Sequence, residues 1–263
     1  MSLWTRCMGM VFLTVAGLGS AQAVEFDVGR ATVVFATDDW SAADLADEGA
    51  SYGGDRSGVI PSETKLFVKT AARGSVEAVA VVRASSAGVP ASYMTYTRDC
   101  DPTQEFFAEG NSGAGMRLAR CLKVYPRYTT QSLLNYLGEA GRAVLEGQKG
   151  SFPESMYVIS SYFWNSNGTF VSVQVWLAPG FEGQPGTVSE TLPEGVPASH
   201  VIWGRALNSA VRSSVTSIFG NLAFPPLSFK ATTPASGASR IAQSTPPSLS
   251  LIHISEPTRP LYI

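Results

Sequence analysis

The sequence predicts an α+β fold: a mainly antiparallel, twisted sheet with two long helices packed on it as an α/β sandwich. Three observations predict it. Segments rich in β-branched and aromatic residues follow one another from Ala31 to Tyr125. Two later segments, behind Thr129 and from about Ala198, repeat their apolar residues at helical spacing. Between them, Met156–Leu177 carries two apolar runs around an Asn-Gly pair, the strongest short-range hairpin signal. Strands in a run, then helix, hairpin and helix, make an α+β arrangement.

Taken in order, Ala31–Ala36 reads as a strand, a β-branched run bounded by Gly29 and by Asp38-Asp39. Asp39–Glu48 is short, acidic and Ala-rich, and predicts a helical turn. Tyr52–Gly58 is loop by its glycines. Lys65–Thr70 and Val76–Ala84 predict a strand pair turned at Arg73-Gly74-Ser75. Tyr93–Arg98 is a further strand by its aromatic and Thr content. From Gly115 to Tyr125, Met116, Leu118, Leu122 and Val124 alternate along one side, Arg120 the only exception, against Arg117, Cys121 and Lys123, the pattern of a half-buried strand.

In the first helix Leu133, Leu134, Leu137, Ala140, Val144 and Leu145 form the apolar side behind Thr129 or Thr130 as N-cap, with Gly147 and Gly150 ending it. The second runs from Ala198 to Phe219 behind Pro197. Its apolar side is Val201, Ile202, Leu207, Val211, Val215, Ile218 and Phe219, with Arg205 and Arg212 away from most of it. Pro225-Pro226 stops any continuation. If Asn167-Gly168 is a two-residue hairpin loop, Trp164, Tyr162 and Ser160 face Val171, Val173 and Val175 as the core side. The other side then carries Tyr157, Ile159, Phe163, Phe170 and Trp176 among small polar residues.

Both ends read as lying outside the fold. One positive charge at Arg6, an apolar run from Cys7 to Leu18 and the ending Ala21-Gln22-Ala23 match a cleavable secretory signal, residues 1–23. The apolar run is too short for a permanent span of a bilayer about 30 Å thick. The mature chain is expected to start at Val24, with a single α+β domain over residues 24–229. Residues 230–248, rich in Pro, Ser and Thr, read as a disordered tail. Leu249–Arg259 resembles the in-frame translation of a sequencing adapter, so residues 249–263, His253 among them, are set aside as an artefact. In element order alone, the body resembles the α/β/α sandwich of extrinsic oxygen-evolving-complex proteins, where a late hairpin feeds a final helix. No motif residue carries that likeness, and no function comes with it.

Of the chain's 263 residues, 44% are hydrophobic and 15% charged, which suits a globular domain with a thinly charged surface. The full chain holds 19 Lys and Arg against 21 Asp and Glu. Removing Arg6, Arg259 and Glu256 with the two ends leaves the body mildly acidic. With no Lys/Arg cluster, the composition argues against a nucleic-acid partner.

Few residues can carry chemistry. Cys100 and Cys121 are the only cysteines after Ala23, and in an exported chain such a pair reads as a disulfide. It would tie the end of the Tyr93–Arg98 strand to the Gly115–Tyr125 strand. His200 is the body's one histidine, and no Gly-x-Ser-x-Gly elbow accompanies it. A surface place at a helix start is its expected role. Asp44, Asp47 and Glu48 stand at helical i, i+3, i+4 spacing, but no Asp-x-Asp-x-Asp-Gly loop goes with them, so a solvated acidic face outweighs a Ca²⁺ site. Gly110–Gly115 precedes a strand, whereas a phosphate cradle opens into a helix, so it reads as a connector. Asn167-Gly168-Thr169 fits a glycosylation pattern, yet a turn explains the same residues. No catalytic residue set, metal site or cofactor motif is expected.

The hairpin's second side supplies the candidate binding surface, Tyr157, Phe163, Phe170 and Trp176, for an unknown protein, peptide or glycan. Its competitor is a helix covering that side, since five large apolar residues rarely stay wet. Two functions follow as expectations. The first is a periplasmic or secreted, non-enzymatic binding or envelope-assembly domain. The alternative is a hydrolase of envelope polymers that uses carboxylates such as Asp38, Asp39 or Glu63.

Overall fold

The computed structural model describes residues 23–46, 50–52, 58–72, 74–86, 100–111, 118–148, 150–165, 168–217 and 220–230. In chain order the strands are β1 (Val24–Val28), β2 (Ala31–Phe35), β3 (Trp40–Leu45), β4 (Ala50–Tyr52), β5 (Gly58–Ile60), β6 (Ser62–Thr70), β7 (Val76–Ser85), β8 (Phe107–Asn111) and β9 (Leu118–Thr129). Helix α1 (Thr130–Gly147), β10 (Ser155–Asn165), β11 (Phe170–Leu177), α2 (Ala198–Thr216) and β12 (Asn221–Ala223) follow. The main sheet has seven strands in the order β3-β6-β7-β11-β10-β9-β8, every neighbouring pair antiparallel. A second sheet of three strands, β1-β2-β12, holds β12 parallel to β2. The fold is α+β and sheet-rich.

Alternation along the central strands explains the layers. On β7, Ala78, Ala80, Val82 and Ala84 face one side while Val79 and Val81 face the other, and all are buried. A strand buried on both faces reads as an unbroken apolar run, as Ala78–Val82 does between Glu77 and Arg83. The first side packs against Val201, Trp203, Leu207 and Val211 of α2 and against Val33 and Phe35 of the small sheet. On the second side, Leu133, Leu134 and Leu145 of α1 pack on Leu66, Val79, Val158 and Trp176. Close approach of α2 depends on Gly204, where a Cβ would stand 3.0 Å from the Leu122 side chain and 3.3 Å from those of Ile159 and Val124.

The disulfide is present. Cys100 and Cys121 are bonded with their Cα atoms 5.7 Å apart. Both are buried, in a third cluster with Tyr162, Trp164 and Phe170 on the α1 side of the main sheet. The Tyr93–Arg98 strand that the bond was expected to tie lies outside the described residues.

Several expectations are corrected. Asp39–Glu48 holds no helical turn among its described residues: it supplies β3, paired with β6 from Trp40↔Lys69 to Leu45↔Thr64. Tertiary contact overrides the helix propensity of the alanines, because Trp40 is buried and stacks on Phe35 at 4.2 Å. Asp44 therefore sits on a strand, in an ion pair with Lys65, and Asp47 and Glu48 lie outside the described residues. Helix α1 begins behind Thr129, whose hydroxyl accepts from the Ser132 N–H at 3.3 Å, but it is broken at Gly138. There φ is 64° and ψ −164°, a conformation open to glycine and hostile to a helix. Among the described residues only α2 is a long continuous helix, and it ends at Thr216; Ile218 and Phe219 lie outside the described residues.

The hairpin is one residue out of the expected register. Asn165 donates its N–H to the Thr169 carbonyl, so the chain closes across residues 166–168, with Gly168 at φ 84°. A three-residue loop ending in a left-handed glycine replaces the two-residue turn. Each cross-strand pair shifts accordingly: Phe163 faces Val171 and Trp164 faces Phe170. On β9, Leu118 is exposed rather than half-buried, while Leu122 and Val124 share a buried side as expected, and that side faces α2. Met116 and Arg117 lie outside the described residues. The register jumps from Tyr157↔Arg127 to Val158↔Tyr125, so Pro126, which has no N–H to offer, stands in the bulge. Gly110 and Asn111 close β8 instead of opening a connector.

Candidate functional site

Where β2 leaves the small sheet and the chain turns into β3, a pocket of about 80 Å³ opens. Phe35, Trp40 and Phe224 line it, with Pro225, Pro226 and Leu227 from the segment after β12 and with Ala36, Thr37 and Lys69. The rings brace one another: Phe35 lies 4.9 Å from Phe224, and Trp40 lies 5.7 Å from it, edge-on. The proline segment is held from both ends. Phe224 donates its N–H to the Val34 carbonyl at 2.9 Å, and the Trp203 indole N–H donates to the Pro226 carbonyl at 3.0 Å. Such a pocket is preformed by the core beneath it.

Charge around the pocket is tied up. Lys69 forms ion pairs with Asp39 and, at 3.2 Å, with Glu77. Partial burial works upward on the Asp39 carboxyl. Hydrogen bonds from Lys69 and Thr37, with the lysine charge, outweigh it and hold the group below its ordinary value. That is the wrong direction for a general acid. Glu63, the other named carboxylate, accepts the Gly29 N–H at 3.0 Å near the far end of β6. At about 3.3 Å per strand residue it stands roughly 20 Å from the Asp39 end, well beyond the separation of a glycosidase pair. Asp38 is exposed. Among the described residues, no three His, Cys, Asp or Glu side chains gather as a metal site.

The four candidate aromatic residues of the hairpin do not share a surface. Tyr157 and Phe163 lie on the α2 side of the main sheet, whereas Phe170 and Trp176 lie on the other side. Phe163, Phe170 and Trp176 are buried, and Tyr157 is half-buried. The one-residue register shift separates them, and α1 and α2 cover the two faces.

His200 is a further correction. Instead of lying on the surface it is 2% exposed, in the first turn of α2 beneath Phe181 and Tyr157. Its Nε2 donates to the Phe181 carbonyl at 3.2 Å, and Nδ1 is buried with no hydrogen-bond partner among the described residues. Burial, opposed by that carbonyl, lowers its pKa from the ordinary value. The unfolded chain thus takes up a proton below about pH 6.5 that the folded chain refuses, so stability falls with pH through that range. Urea unfolding at pH 5.5 and 7.5 should show His200→Phe losing less stability on acidification than the parent. Equal losses would contradict the assignment.

Arg205, read from sequence only as lying off the apolar side, joins α2 to β8 and to the segment between β11 and α2. Its guanidinium pairs with Glu109 of β8 and with Glu190, each at 2.7 Å, and lies over Phe107. The aromatic pocket itself escaped the sequence reading, which took Pro225-Pro226 only as a stop; Phe224 beside them was the available signal. No family profile, curated protein or solved structure matches the chain.

Proposed function

We propose that this chain is an exported, non-enzymatic binding or envelope-assembly domain that engages its ligand at the aromatic pocket between β2 and β3. The carrying observation is the pocket's make-up: three mutually packed rings, a proline pair anchored on Trp203, and a neighbouring carboxylate already neutralised by lysine. Such a surface recognises by shape and stacking and offers no acid–base pair. The disulfide and the secretory pattern of residues 1–23 support a periplasmic or secreted place. No helix among the described residues is long and apolar enough to cross a membrane.

A displayed library of random peptides, selected on the wild-type chain and on Ala36→Phe, tests the reading. Ala36 is exposed and lines the pocket, so the larger ring should fill it without unfolding the chain. Peptides retained by the wild type and lost on the variant support binding there. In parallel, purified peptidoglycan is incubated with the chain. Release of soluble fragments that disappears in Asp39→Asn would establish the hydrolase instead.

A further inference from the structure

We infer that the open edge of β3, with the pocket at its first residue, docks an extended, cationic peptide segment of a partner protein as an added strand. This rests on the binding reading above and names the partner's chemistry. Among the described residues, strand β3 is the last strand on its side of the main sheet and pairs with β6 alone. A terminal strand presents a row of unpaired N–H and C=O groups. Natural edges are usually blunted by brevity, proline, lysine or a cover. Here Ser41, Ala42 and Asp44 are exposed, and the run Ser41-Ala42-Ala43 is small and free of proline and lysine. By contrast, the opposite edge, β8, is tied to α2 by the Glu109–Arg205 ion pair.

Two observations select the occupant. The first is charge. Asp38, Asp39 and Asp44 lie along or just before the strand, and the two nearby lysines are already engaged, Lys65 with Asp44 and Lys69 with Asp39 and Glu77. Four carboxylates against two ammonium groups leave the edge acidic. It attracts a basic strand and repels a second copy of itself. The second is the pocket. Trp40, the first residue of β3, lines it, and its 80 Å³ suits one small apolar side chain, since a water takes roughly 30 Å³. Side chains two apart share a face, so Trp40 and Asp44 point the same way. The fitting segment therefore places a valine-sized residue and a lysine or arginine four positions apart.

Fluorescein-labelled octapeptides carrying valine and lysine four residues apart, in either order, are titrated into the full chain at physiological salt. Anisotropy reads binding, and amide exchange reads protection of residues 41–45. At least one order should bind and slow exchange there. Asp44→Lys should weaken it about fivefold, and N-methylation of alternate peptide amides should abolish it by removing strand donors. Binding that survives N-methylation overturns strand addition. Equal binding of a glutamate-for-lysine peptide overturns the charge argument, and no binding up to about 1 mM overturns the site. Protection of residues 41–45 without peptide, together with a dimer by sedimentation, would give the edge to a second copy. Should library peptides still depend on the pocket while these outcomes fail, the binding reading stands and only the added strand falls.

Discussion

Replacing Trp203 by alanine is expected to cost about 3–5 kcal/mol of unfolding free energy, the range for a fully buried Trp or Phe truncation. Trp203 is 0% exposed and lies at the meeting point of α2, the main sheet and the C-terminal segment. Its ring packs edge-on against Phe181 and tilts against Phe224. Truncation also leaves the Pro226 carbonyl without its indole donor. Because that bond anchors one wall of the pocket, ligand retention should fall along with stability. Urea unfolding of Trp203→Ala and Trp203→Phe separates the two contributions. The phenylalanine variant should recover more than half of the loss while still lacking the hydrogen bond. A loss below about 1 kcal/mol for Trp203→Ala would show that the site collapses freely and that this packing account is wrong.

Removing the disulfide is the second large effect. The bond joins residues 21 apart in sequence, and closing a loop of that size removes about 3 kcal/mol of unfolded-chain entropy. Cys100→Ala with Cys121→Ala should therefore lower stability by about that amount, and reductant should do the same to the parent. The thiols sit beneath Tyr162 and Trp164, against the stacked Trp164–Phe170 pair. Dithiothreitol should accordingly act slowly on the folded chain and quickly once it is unfolded by urea. If stability is indifferent to reductant at equilibrium, the crosslink is not restraining the unfolded chain.

What the sequence made legible was what local chemistry decides. Thr129 caps α1, Pro197 starts α2, and the β6–β7 pair turns where Gly74 was expected to turn it. The pairing of Cys100 with Cys121 was legible because the chain holds only one other cysteine, Cys7, inside the stretch read as a signal. Contacts between distant segments were hidden. Trp40 sits in a run of alanines and aspartates that favours helix, and only Phe35 and Phe224 make it a strand residue. Strand β12 is three residues long and pairs with β2 across most of the chain, beyond the reach of any local pattern. The hairpin register turned on one residue of loop length, which moved every flanking aromatic ring relative to its partners. The pocket suffered most, since its lining comes from β2, β3, β6 and the Pro225-Pro226 segment, four stretches with no common motif.

The parallel seam between β12 and β2 bears on when the chain can finish folding. A polypeptide emerging N-terminus first brings out β1 and β2 early, but the flank of β2 and the apolar Val33 and Phe35 find Leu222 and Phe224 only after both helices and the whole main sheet have been made. Until then the small sheet lacks its third strand, and Val33 and Phe35 lack two of the apolar partners that cover them in the finished fold.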